Sequence, residues 1–252
     1  DGNTARVNNL NYMNQSANKK IAVNGDSFTH EYHLNSNDRW STLIGASHNL
    51  ALGGGSNDRC FRTTVQFLND TDIDVLIIGW TIWTRTSLTK ANGSYYVVST
   101  RGTHDEYNSQ ERDQEMYKIY LTKIFNEYLQ LENTLNYMLH IQNFCMLKKI
   151  RLLNFCSVFG PGDLNDNELA KISEKSLIHN VDDKEIVKQL RQEKMLKLKS
   201  IIQKLDPTVW LNNEVFYSIQ EGLKDFPTID NDGHFGKDGA QHWSEIIKKH
   251  LL

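Results

Sequence analysis

The sequence predicts an α/β fold: a three-layer α/β/α sandwich with a mainly parallel sheet between two layers of helices. Short apolar runs alternate along the chain with longer amphipathic stretches, which is the order of strands and helices around a parallel sheet. The run Asp74–Ile78 is apolar on both faces, as expected of a buried parallel strand.

The other short apolar runs give the remaining strands. Ile21–Val23 is the first strand and Leu152–Cys156 the third in chain order, and each ends at a turn that contains glycine or polar residues. The run Val209–Leu211 is a short fourth candidate.

The amphipathic stretches predict helices over residues 110–148, 184–205 and 240–252. In the first of these, apolar residues recur at alternating spacings of four and three, which places them on one face of a helix. An unbroken helix of that length would span roughly 58 Å, too long for one compact domain. We therefore expect a break near Asn133.

The length of 252 residues fits one domain. Residues 1–18 are polar and rich in asparagine, which predicts a tail or linker, so the single domain is expected over residues 19–252. The chain begins at Asp1 rather than Met, which indicates a processed form or a part of a longer protein. Secretion is therefore undecided.

Composition and charge limit the classes of partner that the protein is expected to bind. The net charge is -3 and Lys and Arg are spread along the chain, which argues against nucleic acid. No apolar run approaches the length of a membrane span, and no signal-peptide pattern opens the chain. Cys60, Cys145 and Cys156 are too scattered for a disulfide framework or a zinc site. We expect buried thiols in a reducing compartment, and the sequence leaves oligomeric state open.

The first candidate for chemistry is the segment that follows the first strand. Ligands of such folds bind beyond the carboxyl ends of the strands. Gly25-Asp26-Ser27 occupies that place, where the Ser27 hydroxyl is exposed and its N–H points to where an oxyanion forms. Alternatively, Ser27 is only a helix N-cap, as serine often is.

The second candidate lies near the end of the chain. His234 stands on a loop among carboxylates, with Asp230 and Asp232 before it and Gly239 after it. A neutral histidine needs a carboxylate or carbonyl to fix its tautomer before it accepts a serine proton. The alternative is a polar turn, which Asp-Gly pairs often form.

These residues, in this order, resemble the SGNH (GDSL) hydrolase family, whose fold is flavodoxin-like. The family's first motif matches at Gly25-Asp26-Ser27, and its last keeps the usual step of five residues from His234 to Gly239. The resemblance spans residues 19–252. It implies that Ser27 is the nucleophile, that His234 is its base, and that the N–H groups of Ser27 and Gly54 hold the oxyanion.

The chain departs from the family pattern at two positions. Thr81 stands where the family has an oxyanion-binding Asn, and we expect either the Thr81 hydroxyl or the amide of Asn57, from the neighbouring loop, to supply the missing donor. Asn231 stands where the family has the triad Asp. We expect Asp232 to orient the histidine, with Asp230 as the fallback.

Residues that follow the predicted strand Asp74–Ile78 are candidates for substrate binding. The candidates are Trp80, Trp83 and Arg85. Arg85 begins a polar stretch, residues 85–109, which we expect to be a long loop that forms a lid or substrate wall. The Trp-Thr-x-x-x-Arg run resembles SGNH-type proteins of marine tailed bacteriophages. The location stays open between cytoplasmic and virion-associated.

The sequence therefore predicts a serine esterase that hydrolyses short acyl esters, such as acetyl groups on a carbohydrate, with no cofactor and no metal. A carbohydrate-binding or virion structural module on the same fold is one alternative, favoured by Thr81 and Asn231. An acyltransferase is another, because it would use every catalytic group of the esterase. A nucleotide-binding protein is a weaker alternative, since the turn after the first strand lacks a glycine-rich phosphate loop.

Overall fold

The computed structural model describes residues 19–99, 102–105, 114–175, 184–229 and 233–251. The strands are β1 (Ile21–Asn24), β2 (His48–Asn49), β3 (Val75–Trp80), β4 (Thr86–Thr89), β5 (Tyr95–Ser99), β6 (Gly102–Asp105) and β7 (Arg151–Cys156). The α-helices are α1 (Ser27–His30), α2 (Trp40–Leu43), α3 (Asn57–Asp70), α4 (Gln114–Ile119), α5 (Glu127–Lys148), α6 (Asp166–Lys175), α7 (Lys184–Ile202), α8 (Ile219–Gly222) and α9 (Lys237–Leu251).

The central sheet is parallel. Its four strands lie in the order β2-β1-β3-β7, and each neighbouring pair is parallel. The order reverses at β1, which pairs with β2 on one side and β3 on the other. Ligands of open α/β sheets bind outside the carboxyl ends of the strands at such a reversal. The topology therefore places the residues after β1 at the expected site.

The core lies on both faces of this sheet, which confirms the predicted α/β fold with a mainly parallel sheet and flanking helices. Along β3, Leu76 and Ile78 face one hydrophobic cluster while Val75 and Ile77 face the other. The run of apolar residues along β3, interrupted only at Gly79, therefore follows from burial on both sides. The first cluster packs helices α3, α5, α6 and α7 on the sheet, and the second packs α2 and α9.

The long helical stretch is broken earlier than predicted. Helix α4 continues into a π-helical turn, Tyr120–Ile124, after which Phe125 is extended and α5 begins. The side chain of Asn126 caps α5 by accepting the Leu129 N–H at 3.1 Å. The break predicted near Asn133 is therefore wrong, because a capping residue starts a new helix seven positions before it. The first residues of the predicted helix lie outside the described residues.

Two further expectations are corrected. The segment predicted as a long loop, residues 85–109, contains a three-stranded antiparallel sheet in the order β4-β5-β6. The predicted strand Val209–Leu211 is instead two short 3-10 helices that flank Trp210, which makes only an isolated parallel bridge to Asn154. The asparagine-rich segment of residues 1–18 lies outside the described residues, as do residues 230–232 and residue 252. Within the described ranges, no helix is long and apolar enough to cross a membrane.

Candidate active site

The turn after β1 is fixed by a close approach to β3. Gly25 has φ +152°, and a Cβ there would lie 2.7 Å from the Gly79 carbonyl oxygen. Only glycine fits this approach. Asp26 then caps α1: its Oδ1 accepts the Phe28 N–H at 3.1 Å and the Ser157 hydroxyl at 2.9 Å. The N-cap is thus Asp26, and Ser27 is the first residue of α1, partly exposed at the carboxyl edge of the sheet.

His234 lies against this turn from the other end of the chain. Its residue is 3% exposed, and its ring packs against Phe28 and His33, with ring centroids 4.7 and 4.9 Å away. The next residue, Phe235, holds the loop in place because its carbonyl oxygen accepts a hydrogen bond from His33 Nε2 at 3.1 Å. Gly233, with φ +83°, supplies the left-handed turn that leads into the histidine.

The two predicted catalytic side chains are in hydrogen-bond contact. Ser27 Oγ lies 2.9 Å from His234 Nε2. A neutral imidazole that accepts the serine proton at Nε2 carries its own proton at Nδ1. The carboxylates predicted to face Nδ1, Asp232 and its fallback Asp230, lie outside the described residues, as does Asn231. Their assignment stays a prediction.

A glycine-containing loop between β2 and α3, residues 50–56 (the glycine loop), approaches the turn after β1. Leu52 N–H donates to the Gly25 carbonyl at 3.2 Å, and a Cβ on Gly55 would lie 3.3 Å from the same oxygen. Gly54, between them, has φ +76°. Its N–H and that of Ser27 have no acceptor among the described residues. Neither backbone donor is therefore committed to another group within the described residues.

Asn57 and Thr81 form a bidentate pair. The Asn57 amide donates to the Thr81 carbonyl at 2.8 Å and its Oδ1 accepts the Thr81 N–H at 2.9 Å, while its second donor contact is Thr134 Oγ1 at 3.3 Å. Asn57 is 2% exposed. Because its amide hydrogens are already donated, this geometry does not support Asn57 as an oxyanion donor and makes it a clamp on the backbone after β3.

The Arg85 side chain contacts the turn after β1, the glycine loop and the segment that follows β3. Its Nη1 donates to Thr81 Oγ1 at 3.2 Å and to the Gly55 carbonyl at 3.3 Å, and lies 3.6 Å from Asp26 Oδ2. The strand that follows it, β4, is tied to the start of α3, because Ser87 N–H donates to Asp58 Oδ1 at 3.0 Å. The small antiparallel sheet therefore stands beside the site and holds Arg85 there.

The two tryptophans predicted to bind substrate are buried. Trp80 is fully buried and donates to Asn154 Oδ1 at 3.0 Å, because it shares the core-facing side of β3 with Leu76 and Ile78. Its side chain therefore offers no exposed surface to a substrate in this structure, and its predicted role is not supported by its position. Trp83 is 7% exposed and packs on Phe159.

Trp83 does line a cavity of about 260 Å³ at the carboxyl edge of β3 and β7. Its apolar wall comes from residues that directly follow the two strands, including Ile82 and Phe159, and acidic residues and Lys171 form the rest. Trp83 Nε1 is buried and has no hydrogen-bond partner among the described residues. The predicted contact of Trp83 with a substrate stays a prediction.

Sequence reasoning missed a buried carboxyl group close to the histidine. Glu31 is 5% exposed and lines a cavity of about 10 Å³ together with His33 and His234. Burial raises the pKa of Glu31 to about 8, although its Oε2 accepts the Trp40 N–H and Arg39 lies nearby. Its left-handed backbone, φ 48°, gave no signal in the sequence. Ser157 was also missed, although it directly follows a predicted strand at the same edge of the sheet.

Within the described ranges, no cluster of His, Cys, Asp and Glu side chains is arranged to hold a metal ion. His30 and His33 are close in sequence but His33 is committed to the Phe235 carbonyl. All three cysteines are buried as free thiols, and burial raises the pKa of Cys60 and Cys145 to about 12. They are therefore poor nucleophiles in this fold.

No protein-family model and no curated protein sequence matches the chain. Solved structures that resemble it include TesA, with 10% identity, a TM-score of 0.46, and coverage of 93% of this chain and 100% of that one. The psychrotrophic esterase EstA from Pseudoalteromonas sp. has 10% identity, a TM-score of 0.43 and coverage of 93% and 99%. An acetyl xylan esterase, AlAXEase, has 8% identity, a TM-score of 0.44 and coverage of 92% and 100%. The function of this chain is therefore proposed from the geometry of its own site.

Proposed function

We propose that this protein is a serine ester hydrolase of the SGNH type, with Ser27 as nucleophile and His234 as general base. One observation carries the proposal: the 2.9 Å contact between Ser27 Oγ and His234 Nε2 at the carboxyl edge of a parallel sheet. A nucleophile and a base within hydrogen-bond reach are the minimal requirement for this chemistry. The free N–H groups of Ser27 and Gly54 support the proposal, because acyl transfer needs donors for an oxyanion.

The reaction proceeds in two steps. Ser27 Oγ attacks the ester carbonyl carbon as its proton moves to His234 Nε2, and the carbonyl π electrons move onto oxygen. The tetrahedral intermediate collapses, the bond to the alkoxy group breaks, and that group leaves with the proton from His234. Water then attacks the acyl-enzyme by the same route, which releases the acid and returns the proton to Ser27 Oγ.

The substrate of this proposal is a short acyl ester, acetyl or similar, on a small molecule or carbohydrate. The cavity of about 260 Å³ beside Trp83 has a volume that suits a small group, and its lining combines apolar side chains with acidic residues and Lys171. The chemistry needs no cofactor or metal. The closer relation to bacteriophage proteins also stays a proposal, as does the location, cytoplasmic or virion-associated.

Labelling with a fluorophosphonate probe, followed by mapping of the modified residue, tests the proposal. We expect Ser27 to be labelled, p-nitrophenyl acetate to be hydrolysed, and Ser27→Ala to abolish both. Ser47→Ala is the matched control, because Ser47 Oγ also lies 3.0 Å from a histidine nitrogen, that of His48, but away from the glycine loop. This variant should be labelled and active like the wild type.

Two outcomes would redirect the assignment. If folded wild-type protein shows neither labelling nor hydrolysis, the chain is a non-catalytic binding module on the same fold. If Ser27 is labelled but the acyl group passes to a sugar hydroxyl faster than to water, the protein is an acyltransferase. Both tests use the same purified protein and differ only in the acceptor.

A further inference from the structure

Arg85 lies where three segments around Ser27 converge. Its Nη1 contacts the turn after β1 through Asp26 Oδ2, the glycine loop through the Gly55 carbonyl, and the segment after β3 through Thr81 Oγ1, at 3.6, 3.3 and 3.2 Å. The first of these segments carries Ser27, which follows Asp26, and the second carries Gly54, which precedes Gly55. The guanidinium is therefore anchored to the segments that hold the proposed nucleophile and the two backbone donors.

The contacts that anchor Arg85 use one guanidinium nitrogen, Nη1, and leave Nε and Nη2 for other acceptors. A guanidinium is a planar fork of five N–H donors. The side-chain contacts of Arg85 run through Nη1, while its Nε and Nη2 donate to none of the described residues. The side chain is 22% exposed, so a substrate can reach these donors.

The ion pair with Asp26 makes the guanidinium a fixed charge. Asp26 is 1% exposed, and its Oδ2 is buried without a hydrogen bond, while its Oδ1 is already occupied by Phe28 and Ser157. The carboxylate therefore keeps Arg85 near the site before substrate arrives. Donors that are already in place when charge develops stabilise a transition state more than donors that must move.

We propose that Arg85 is a catalytic residue that donates a hydrogen bond from its free N–H groups to the oxyanion formed when Ser27 attacks the ester. This inference rests on the proposed function and adds a charged donor to the backbone N–H groups of Ser27 and Gly54. The carbonyl π electrons become the negative charge on oxygen, and Arg85 stabilises that charge without transferring a proton. A hydrogen bond from a charged donor is roughly twice as strong as a neutral one.

The structure favours this role over recognition of an anionic group on the substrate. The guanidinium touches the turn after β1 and the glycine loop, which carry the two free backbone donors, rather than a separate surface. Its charge is also partly balanced by Asp26, which weakens its attraction for a second full carboxylate but leaves its N–H donors able to bind an oxyanion.

The test measures kcat and KM for Arg85→Ala and Arg85→Lys with two esters, p-nitrophenyl acetate and the p-nitrophenyl monoester of succinic acid. We expect Arg85→Ala to lower kcat by about 10²–10³ for both esters, the usual cost of losing one oxyanion donor. Arg85→Lys, which keeps the charge but loses the fork, should fall between. Millimolar guanidinium should restore part of the activity of Arg85→Ala and none of that of Ser27→Ala.

Arg191→Ala is the control for loss of a positive charge, because Arg191 forms an ion pair with Glu174 on the surface. It should leave both kinetic constants unchanged. If Arg85→Ala fails to fold because Asp26 is left unpaired, Arg85→Lys decides the matter, and an unchanged kcat in that variant overturns the proposal. A rise in KM confined to the succinyl ester also overturns it, in favour of anion recognition. Absence of wild-type activity refutes the proposed function instead, before any Arg85 variant is compared.

Discussion

Ser27 Oγ and His234 Nε2 are 2.9 Å apart although 207 positions separate the two residues in the chain. The contact exists because β1 is an inner strand and the loop before α9 returns to its carboxyl end. There, Phe235 pairs with Thr228 in an antiparallel bridge and accepts the hydrogen bond from His33. The pair is thus a product of the whole fold, and each contact that supports it leads to a measurable expectation.

Asn57→Ala should destabilise the fold. It leaves the N–H and carbonyl groups of Thr81 buried without partners, and each unsatisfied group costs about 1–3 kcal/mol. Thr81→Val is the matched control, because it keeps both backbone hydrogen bonds and loses only the hydroxyl. Urea denaturation of both variants should show the larger loss of unfolding free energy for Asn57→Ala. Equal losses would mean that the bidentate pair has no structural role.

Glu31 should make the protein less stable as pH rises. Its pKa is about 8 in the folded protein and 4.5 ordinarily, so between these values the folded state holds a proton that the unfolded state has released. The contribution of protonated Glu31 to the free energy of unfolding is full below pH 4.5. It falls between pH 4.5 and about pH 8, by at most about 1.4 kcal/mol per pH unit for one proton.

Glu31→Gln should remove this slope, because a glutamine oxygen still accepts the Trp40 N–H and carries no titrating charge. Urea denaturation from pH 5 to pH 9 should show a flatter profile for Glu31→Gln, and an advantage over the wild type that grows with pH. Glu185→Gln is the control, since the Glu185 side chain is 84% exposed. Parallel profiles for wild type and Glu31→Gln would contradict the buried proton.

The sheet was predictable because burial on both faces leaves a plain trace in the sequence. Every position of β3 is apolar except Gly79, and the alternate sides of that strand reach both cores. The small antiparallel sheet also left a signal, the Asn92-Gly93 pair, which is typical of a tight hairpin. That pair lies in the turn between β4 and β5, where Gly93 has φ +84°. Its polar surroundings favoured a loop instead.

The site was predictable only in part. Ser27 and His234 stand in recognisable local patterns, whereas the partners of Asn57 and Arg85 depend on contacts between segments far apart in sequence. Trp80 illustrates the limit, because its side of β3 follows from the strand register, which places it in the core with Leu76. Nothing in the local residues distinguishes an aromatic side chain in the core from one that lines a pocket.

Gly25→Ala should destabilise the protein more than the loss of glycine flexibility explains. A Cβ at this position would lie 2.7 Å from the Gly79 carbonyl oxygen, which belongs to an inner strand and cannot move freely. Gly45→Ala is the matched control, because Gly45 also has positive φ, +76°, and has open space around a Cβ. The unfolding free energy of Gly25→Ala should be lower than that of Gly45→Ala by about 1–3 kcal/mol, the usual cost of overpacking. Equal values would place the strain in the backbone alone.

The orienting carboxylate of His234 is predicted to be Asp232, with Asp230 as the fallback. The carboxylate has to meet Nδ1, because Nε2 faces Ser27 at 2.9 Å. Asn231 stands at the family's customary spacing, but an amide cannot supply the negative charge that stabilises the imidazolium. Asp232 is the nearer of the two aspartates, and Gly233, whose φ of +83° suits a tight turn, separates it from the histidine.

Comparison of Asp232→Asn with Asp230→Asn decides between them, because the two substitutions remove the same charge two positions apart. We expect Asp232→Asn to lower kcat by about 10⁴ and Asp230→Asn to have a much smaller effect. KM should change little in either variant, since the charge acts on the histidine rather than on the substrate. A large loss in Asp230→Asn alone would assign the role to the fallback. If neither variant slows an active enzyme, His234 works with Ser27 as a dyad, and the imidazole tautomer is then held without either carboxylate.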